Sequence, residues 1–473
     1  MKALYEVASL RRVEQLANNI DLIERAGASS AAWLCKALPE AVRFTILIGP
    51  GNNGQDALAC ARHLHQVGKQ ISLVTTAERK VSTQLPKELG TPLISPPSDW
   101  GDVIIDGLFG IGLNRTLDAA TCRLIDAANQ APSIRVALDI PTGLDAASGS
   151  ASPVTFVADI TLSFIADKPG FYTAQGKDFC GQIHTFDLAI PHLLPDPDAL
   201  LINHRTDLPL LNRPHASNKG SFGTVAIIGG QSGMVGAALL AGRAALHSGA
   251  GKVYVGLLDD RIAVDFVQPE LMLQPAAQLF DLPNIDTWVV GPGLGKSIDA
   301  RQLLAKAVEQ APSLVLDADA LNLLAADAHL VDAVRKRSHP TAITPHPGEA
   351  ARLLGTSIEA VQKQRLQSAR ALARQFNVNL VLKGAGGICS DDQHVTINGS
   401  GNALLANAGQ GDVLSGIVGA LIAQGLATMQ ALQLASFLHG QIADIELQQH
   451  PGAGVLCASR VIDALSRRIN ATN

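Results

Sequence analysis

Two series of short apolar runs, alternating with Ala- and Leu-rich helical stretches, constrain this chain more than anything else. The first series covers 44–48, 71–74, 103–105, 136–138 and 160–164. The second covers 224–228, 252–257, 288–290, 314–316, 342–344 and 380–382. Most runs are bounded by Gly or Pro and have no polar alternation, so they suit strands buried on both faces of a parallel, helix-covered sheet. The expected class is α/β in two domains. Residues 191–218, rich in Pro, Asp, Asn and His, read as a linker or domain edge. A boundary near Pro209 gives domains 1–208 and 209–473. The motifs of the halves differ, so the chain is not a simple duplication.

Composition sets the outer limits. With 473 residues, 47% hydrophobic and 17% charged, the chain can bury sizeable cores, and global disorder is excluded. The 37 cationic and 42 anionic side chains leave a net charge of −5, so there is no basic footprint for general nucleic-acid binding. No two of the six cysteines sit at CxxC spacing, which argues against a zinc ribbon and fits a reducing compartment. Glu6, Arg11, Arg12 and Glu14 break up the N-terminus, so no signal peptide is expected. No apolar stretch reaches the ~18–20 residues of a membrane span. The reading is a cytoplasmic homo-oligomer with neither nucleic acid nor membrane as partner.

Three strand ends in the first half carry polar residues. ILIGPGNNGQD at 46–56 is an apolar run, a Gly/Asn turn and then a helix, an arrangement that presents backbone N–H groups to an anion. VIIDGLFGIGL ends its run on Asp106, and VALDIPTGLD ends its run on Asp139. In an open parallel sheet such ends line the ligand crevice, so Asn53, Asp106, Asp139 and Thr142 converge if the strands are neighbours. Their oxygens suit a hard cation better than zinc. Each Asp taken alone equally suits a turn or helix cap.

These residues, with IERAG at 23–27 and LDIPTGLDAASG, resemble the N-terminal domain of the YjeF family, the NAD(P)H-hydrate epimerases. The resemblance runs over most of 8–195. It implies a Rossmann-like three-layer αβα domain. It assigns Asn52, Asn53, Gly54, Gln55 and Asp56, with Gly110, Ile111, Gly112, Leu113, Asn114, Arg115 and Thr116, to the hydrate's nucleotide. Asn53, Asp106 and Thr142 would bind K⁺, and Asp139 would be the catalytic group. Gln55 and Ala57 stand where the family has glycine, and Ile111 where Thr is usual. The expectation is that Gln55 and Ala57 keep negative φ and turn their Cβ atoms away from the phosphate.

The second half opens with SNKGSFGTVAIIGG at 217–230 and continues through WVVGPGLG at 288–295. LVLDADALNLL holds Asp317, Asp319 and Asn322, and TPHPGEAARLL sets His346 between two prolines. LVLKGAGG spans 380–387. In NAGQGDVLSGIVGALIAQG, at 407–425, a glycine turn opens a helix near Asp412. Free N–H groups and the helix dipole there favour phosphate oxygens. Asp412 is placed to take a proton from an attacking hydroxyl, or simply to cap the helix.

The GxGD helix start is similar to the ribokinase-like superfamily. The wider set of motifs resembles its ADP-dependent NAD(P)H-hydrate dehydratases over about 216–469. That resemblance implies a ribokinase-like αβα domain. Lys383, Gly384, Ala385, Gly386, Gly387 and Gly411 would bind the nucleotide. Ala237, Gly295, His346 and Asp412 would contact the hydrate, with Asp412 catalytic. Together the halves resemble bifunctional nicotinamide-nucleotide repair enzymes. The implied reactions are interconversion of R and S NADHX or NADPHX, and ADP-dependent dehydration of the S form to NAD(P)H, AMP and phosphate. Mg²⁺ is implied as a helper for the nucleotide phosphates. The rival is a ribokinase-like small-molecule kinase with a non-catalytic N-terminal dinucleotide-binding or docking module.

Overall fold

The computed structural model of the chain describes residues 1–76, 87–113, 115–211 and 213–471. It parts into two compact units, 3–199 and 200–473, the latter including residues 1–2. Residues 200–208, expected in the first domain, therefore group with the second. The reason is a strand inside the expected linker.

Lys2–Leu4 form β1, and in the first unit α1 (Val7–Leu16) and α2 (Leu22–Ala37) precede the sheet. Its strands are β2 (Arg43–Ile48), β3 (Gln70–Thr75), β4 (Val103–Gly107), β5 (Ile134–Leu138), β6 (Ile160–Phe164) and β7 (Gln182–Phe186). Their order is β3-β2-β4-β5-β6-β7, parallel throughout. Successive side chains point to opposite faces, and here both faces are apolar. Phe44, Ile46, Ile48, Val103 and Ile105 pack with Ala31 and Leu34 of α2 and Leu64 of α3 (Asn52–Gln66). Leu47, Ile104 and Ala137 pack on the other side with Leu124, Ile125 and Ala128 of α4 (Ala119–Gln130). A short α5 (Gly176–Cys180) leads into β7.

In the second unit the strands are β8 (Ala199–Ile202), β9 (Thr224–Gly229), β10 (Lys252–Leu257), β11 (Met272–Pro275), β12 (Thr287–Val290) and β13 (Leu314–Leu316), then β14 (Thr341–Ile343), β15 (Asn379–Leu382), β16 (Ile388–Ser390) and β17 (Val395–Asn398). The helices are α6 (Val235–His247), α7 (Ile298–Gln310), α8 (Asp319–Ala325), α9 (Ala328–Arg335), α10 (Pro347–Leu354), α11 (Ile358–Lys363), α12 (Arg365–Phe376), α13 (Gln410–Ala423), α14 (Thr428–Gln449) and α15 (Ala458–Arg468). From β8 the sheet runs β8-β17-β16-β15-β14-β13-β12-β9-β10-β11. It is not parallel throughout: β15, β16 and β17 are antiparallel, because the short 383–387 turn leaves no room for a helical crossover. β8 pairs with β17, which binds residues 200–202 to this unit. On one face Val225, Ile227, Val253, Val255 and Val289 form a core with α6, α13, α14 and α15. Ala226, Ile228, Leu314, Leu316 and Ile343, facing the other way, are buried too.

Among the described residues no helix is long and apolar enough to cross a membrane. All six cysteines are free, and Cys60, Cys180 and Cys389 are buried.

Candidate active sites

In the first unit the expected strand ends do meet. A cavity of about 580 Å³ is lined by Asn52, Asn53 and Asp56, by 110–113, and by Asp139. The α1 residues Arg11 and Glu14 also line it. Gly54 and Gln55 belong to the first turn of α3 without lining the cavity, and Arg115 and Thr116 are exposed and do not line it, although Arg115 lies over the ring of Phe109, which does. Asn114 lies outside the described residues.

Asp106 and Thr142 lie buried beneath this floor and satisfy each other. Thr142 Oγ1 and N–H donate to the Asp106 carboxylate, each at 2.8 Å. Leu108 N–H adds a bond to Asp106 at 3.0 Å, and Thr142 Oγ1 accepts from Phe109 N–H at 3.0 Å. Burial raises the Asp106 carboxyl to about 6 despite these bonds. The pair thus pins the 107–110 loop, and Asn53 lies against the same loop. A Cβ at Gly110 would come within 3.4 Å of Asn53 Cβ and 2.9 Å of Asp139 Oδ2. Both polar atoms of the Asn53 side chain are buried without a partner. An orphaned buried amide costs about 1–3 kcal/mol, so this one fits a ligand. Asn, Asp and Thr oxygens are of the type that suits a hard cation.

Asp139 has φ of 65°, in the left-handed region that non-glycine residues seldom occupy. Such strain persists only where surroundings over-determine it, often at functional sites. Asp139 Oδ1 lies 2.8 Å from Lys168 Nζ. Oδ2 accepts from Ile111 N–H at 3.3 Å. Lys168 is fully buried, and its ammonium also donates to Ser163 Oγ at 2.7 Å. Sequence reasoning missed Lys168. The signal existed: Asp167-Lys168-Pro169 follows a strand, as Asp106 and Asp139 do. Asp56 is raised to about 8, first by burial and then by the charges of Asp139 and Glu14. Gln55 and Ala57 both lie inside α3, and neither is among the residues of positive φ. Ala57 is buried against Gly107, where a Cβ would come within 2.3 Å of Ala57 Cβ. Its methyl group therefore packs α3 onto β4 and does not face the cavity.

In the second unit, α13 starts at Gln410 with Gly409 as its cap, at φ of 88°. Asp412 is therefore in the first turn and does not cap it. Its carboxylate accepts no hydrogen bond among the described residues. Burial and then the charge of Asp317 raise it to about 6, with Lys383 opposing. Lys383 does not stand free as a point charge for a phosphate. Its ammonium lies 2.7 Å from Asp317 Oδ1 and 3.9 Å from Glu349 Oε2. A Cβ at Gly411 would come within 3.2 Å of that ammonium, so the pair sits under the first turn of α13.

His346 caps α10: its Nδ1 accepts from Gly348 and Glu349 N–H at 2.9 and 3.4 Å. Its Nε2 faces Glu349 Oε1 at 3.2 Å. Burial and Lys383 depress its basicity, and because Nδ1 accepts, the proton of the neutral ring belongs on Nε2. Burial raises Glu349 to about 7. Asp319 Oδ2 accepts from Gly295 N–H at 2.9 Å, tying the two loops together. Ala237 lies in the first turn of α6, beside Gly293, where a Cβ would approach it to 3.2 Å. Gly384, at φ of 120°, and Gly386, at 60°, shape the 383–387 turn over the buried guanidinium of Arg365. Arg365 Nη2 donates to Lys383 O at 3.3 Å. Nothing in the surface-like sequence RLQSAR announces it.

Fold and sites together define a class of two-unit α/β proteins that join a Rossmann-like nucleotide domain to a ribokinase-like domain. Residues 19–170 match the family model of the YjeF-related protein N-terminus, and residues 225–467 match that of NAD(P)H-hydrate dehydratase. The chain belongs to the bifunctional NAD(P)H-hydrate repair enzymes. It is 35% identical to the bifunctional NAD(P)H-hydrate repair enzyme Nnr of Coxiella burnetii, over 96% of this chain and 97% of that one. It is also 35% identical to the enzyme of that name from Escherichia coli, over 95% and 89%. A ribokinase-like superfamily protein of Enterococcus faecalis superposes with a TM-score of 0.51 at 25% identity, covering 57% of this chain and 95% of that one.

Proposed function

We propose that the first unit interconverts the R and S forms of hydrated NADH or NADPH, and that the second dehydrates the S form at the expense of ADP. What supports this most is that each family motif set gathers within its own compact unit. In the first unit the cavity holds the hydrate, and Asp139, positioned by Lys168, exchanges a proton with it. Asn53, Asp106 and Thr142 would hold K⁺, which would supply fixed positive charge. In the second unit hydroxide is a poor leaving group, so the 6-hydroxyl first takes the terminal phosphoryl group of ADP. Asp412 receives the hydroxyl proton while N–H groups at the start of α13 hold the moving phosphoryl oxygens. The ring nitrogen's lone pair then expels phosphate to give an iminium ion, and loss of a C5 proton to solvent restores the ring double bond, leaving AMP and phosphate as co-products. Mg²⁺ would screen the ADP phosphates; among the described residues no group of three or more His, Cys, Asp or Glu is placed to cage a metal ion. On this reading the protein works in the cytoplasm as a homo-oligomer, which fractionation and light scattering test.

The deciding experiment incubates the full chain with purified R- and S-hydrates, with and without ADP and K⁺, and follows NADH absorbance. S-hydrate is expected to yield NADH with ADP, and R-hydrate to follow through the first unit. A phosphorylated small molecule with no NADH would establish the kinase reading instead.

A further inference from the structure

From its β11 edge the second unit's sheet runs β11-β10-β9-β12-β13-β14, and every adjacent pair among these six strands is parallel. Counted in chain order this is 3-2-1-4-5-6, the strand order of doubly wound dinucleotide-binding sheets. Such sheets bind their ligand outside the carboxyl ends of the strands, where the order reverses. An acidic residue beyond the second strand accepts from the adenosine ribose 2′-hydroxyl.

Here the order reverses between β9 and β12. Their loops are joined by Gly230 N–H donating to Pro292 O at 3.0 Å and Gln231 N–H donating to Gly293 O at 2.7 Å. Beyond the second strand, β10, stands Asp259, whose N–H donates to Gly230 O at 3.1 Å. A cavity of about 790 Å³ opens at this place, lined by Gln231, Ser232, Asp259, Arg261, Pro275 and Lys306 among others. Those residues come from the ends of β9, β10 and β11 and from α7. Arg261 Nε donates to Asp259 Oδ1 at 2.7 Å, and Arg261 Nη2 donates to Ser232 Oγ at 2.9 Å. Asp259 is 8% exposed and Arg261 75%, so the arginine can swing away while the carboxylate stays. Gln231 links this cavity to the 291–295 loop: a Cβ at Gly295 would lie 1.9 Å from Gln231 Oε1.

We propose that this cavity holds the adenosine-ribose half of the dinucleotide and that Asp259 and Arg261 read its 2′-position. The assignment rests on the dehydratase reading above. A 2′-hydroxyl donates to Asp259. A 2′-phosphate takes Arg261 and Ser232 but meets the Asp259 charge, so the NADH-derived hydrate is preferred.

The test measures ADP-dependent dehydration of NADH- and NADPH-derived S-hydrates by the full-length wild type, Asp259→Ala and Arg261→Ala. Asp259→Ala is expected to lower the NADH-to-NADPH ratio of kcat/KM by roughly tenfold or more, mainly through KM. Arg261→Ala is expected to raise that ratio. Asp259→Asn, which keeps the shape of the side chain, replaces Asp259→Ala if the latter misfolds. A ratio within about twofold of wild type in both folded variants overturns the assignment. A wild type that dehydrates neither hydrate overturns the reaction alone; titrating NADH and NADPH onto the same proteins then decides the cavity by the same ratio.

Discussion

A general base needs an open lone pair and a proton affinity near the working pH. Asp412 has both: among the described residues no hydrogen bond occupies its carboxylate, and burial with Asp317 lifts it to about 6. Asp412→Asn is therefore expected to cut dehydration, read by NADH absorbance, by roughly 10²–10⁴-fold while R/S interconversion, read by chromatographic separation of the epimers, continues. Only the ionised carboxylate accepts a proton. Because the group ionises at about 6, kcat/KM for dehydration is expected to fall as pH drops through that value and to level off above it. Lys168 makes the corresponding prediction for the first unit. It is buried, and its ammonium holds Asp139, itself at a positive φ. Lys168→Met is expected to slow epimerisation by roughly tenfold or more, since removing the ammonium leaves the Asp139 carboxylate misplaced and unpaired. S-hydrate dehydration by the same variant is the internal control.

At the scale of elements, close approach decides what each glycine or alanine does. Ala57 stands where the family has glycine, yet it packs α3 on β4. Ala57→Gly is expected to lower stability by about 1 kcal/mol, through helix propensity and lost packing, with no gain in nucleotide affinity; thermal melts and hydrate titration check both halves of this. Gly416 is a stricter case. A Cβ there would lie 2.1 Å from Ala241 O, backbone that cannot step aside, where α13 crosses α6. Gly416→Ala is expected to cost about 1–3 kcal/mol by overpacking, to lower the melting temperature, and to depress dehydration more than epimerisation.

For the whole molecule, the two candidate sites lie in different compact units and share no residue. Asp139→Ala is expected to block use of R-hydrate while S-hydrate is still dehydrated with ADP. Loss of both activities in the folded variant would mean that the two units act as one. The family assignment also holds at this scale, since the similarity to the Coxiella burnetii enzyme runs through both units.

The long series of buried strands was legible in the sequence because a strand covered on both faces must be apolar at nearly every position. β6, β10 and β13 fall at 160–164, 252–257 and 314–316, as their apolar runs predict. The glycine-rich turns were legible for a similar reason, since close backbone approach and positive φ demand glycine locally. β8, β16 and β17 are short, and β8 is hidden in a Pro- and Asp-rich stretch; they exist because neighbouring strands supply their hydrogen bonds. Which charges pair with which lay beyond the sequence. Lys168 meets Asp139, and Lys383 meets Asp317 across 66 positions of chain. A residue's letter carries its local preferences, but the partner and the burial that set its charge come from strands brought alongside by the fold.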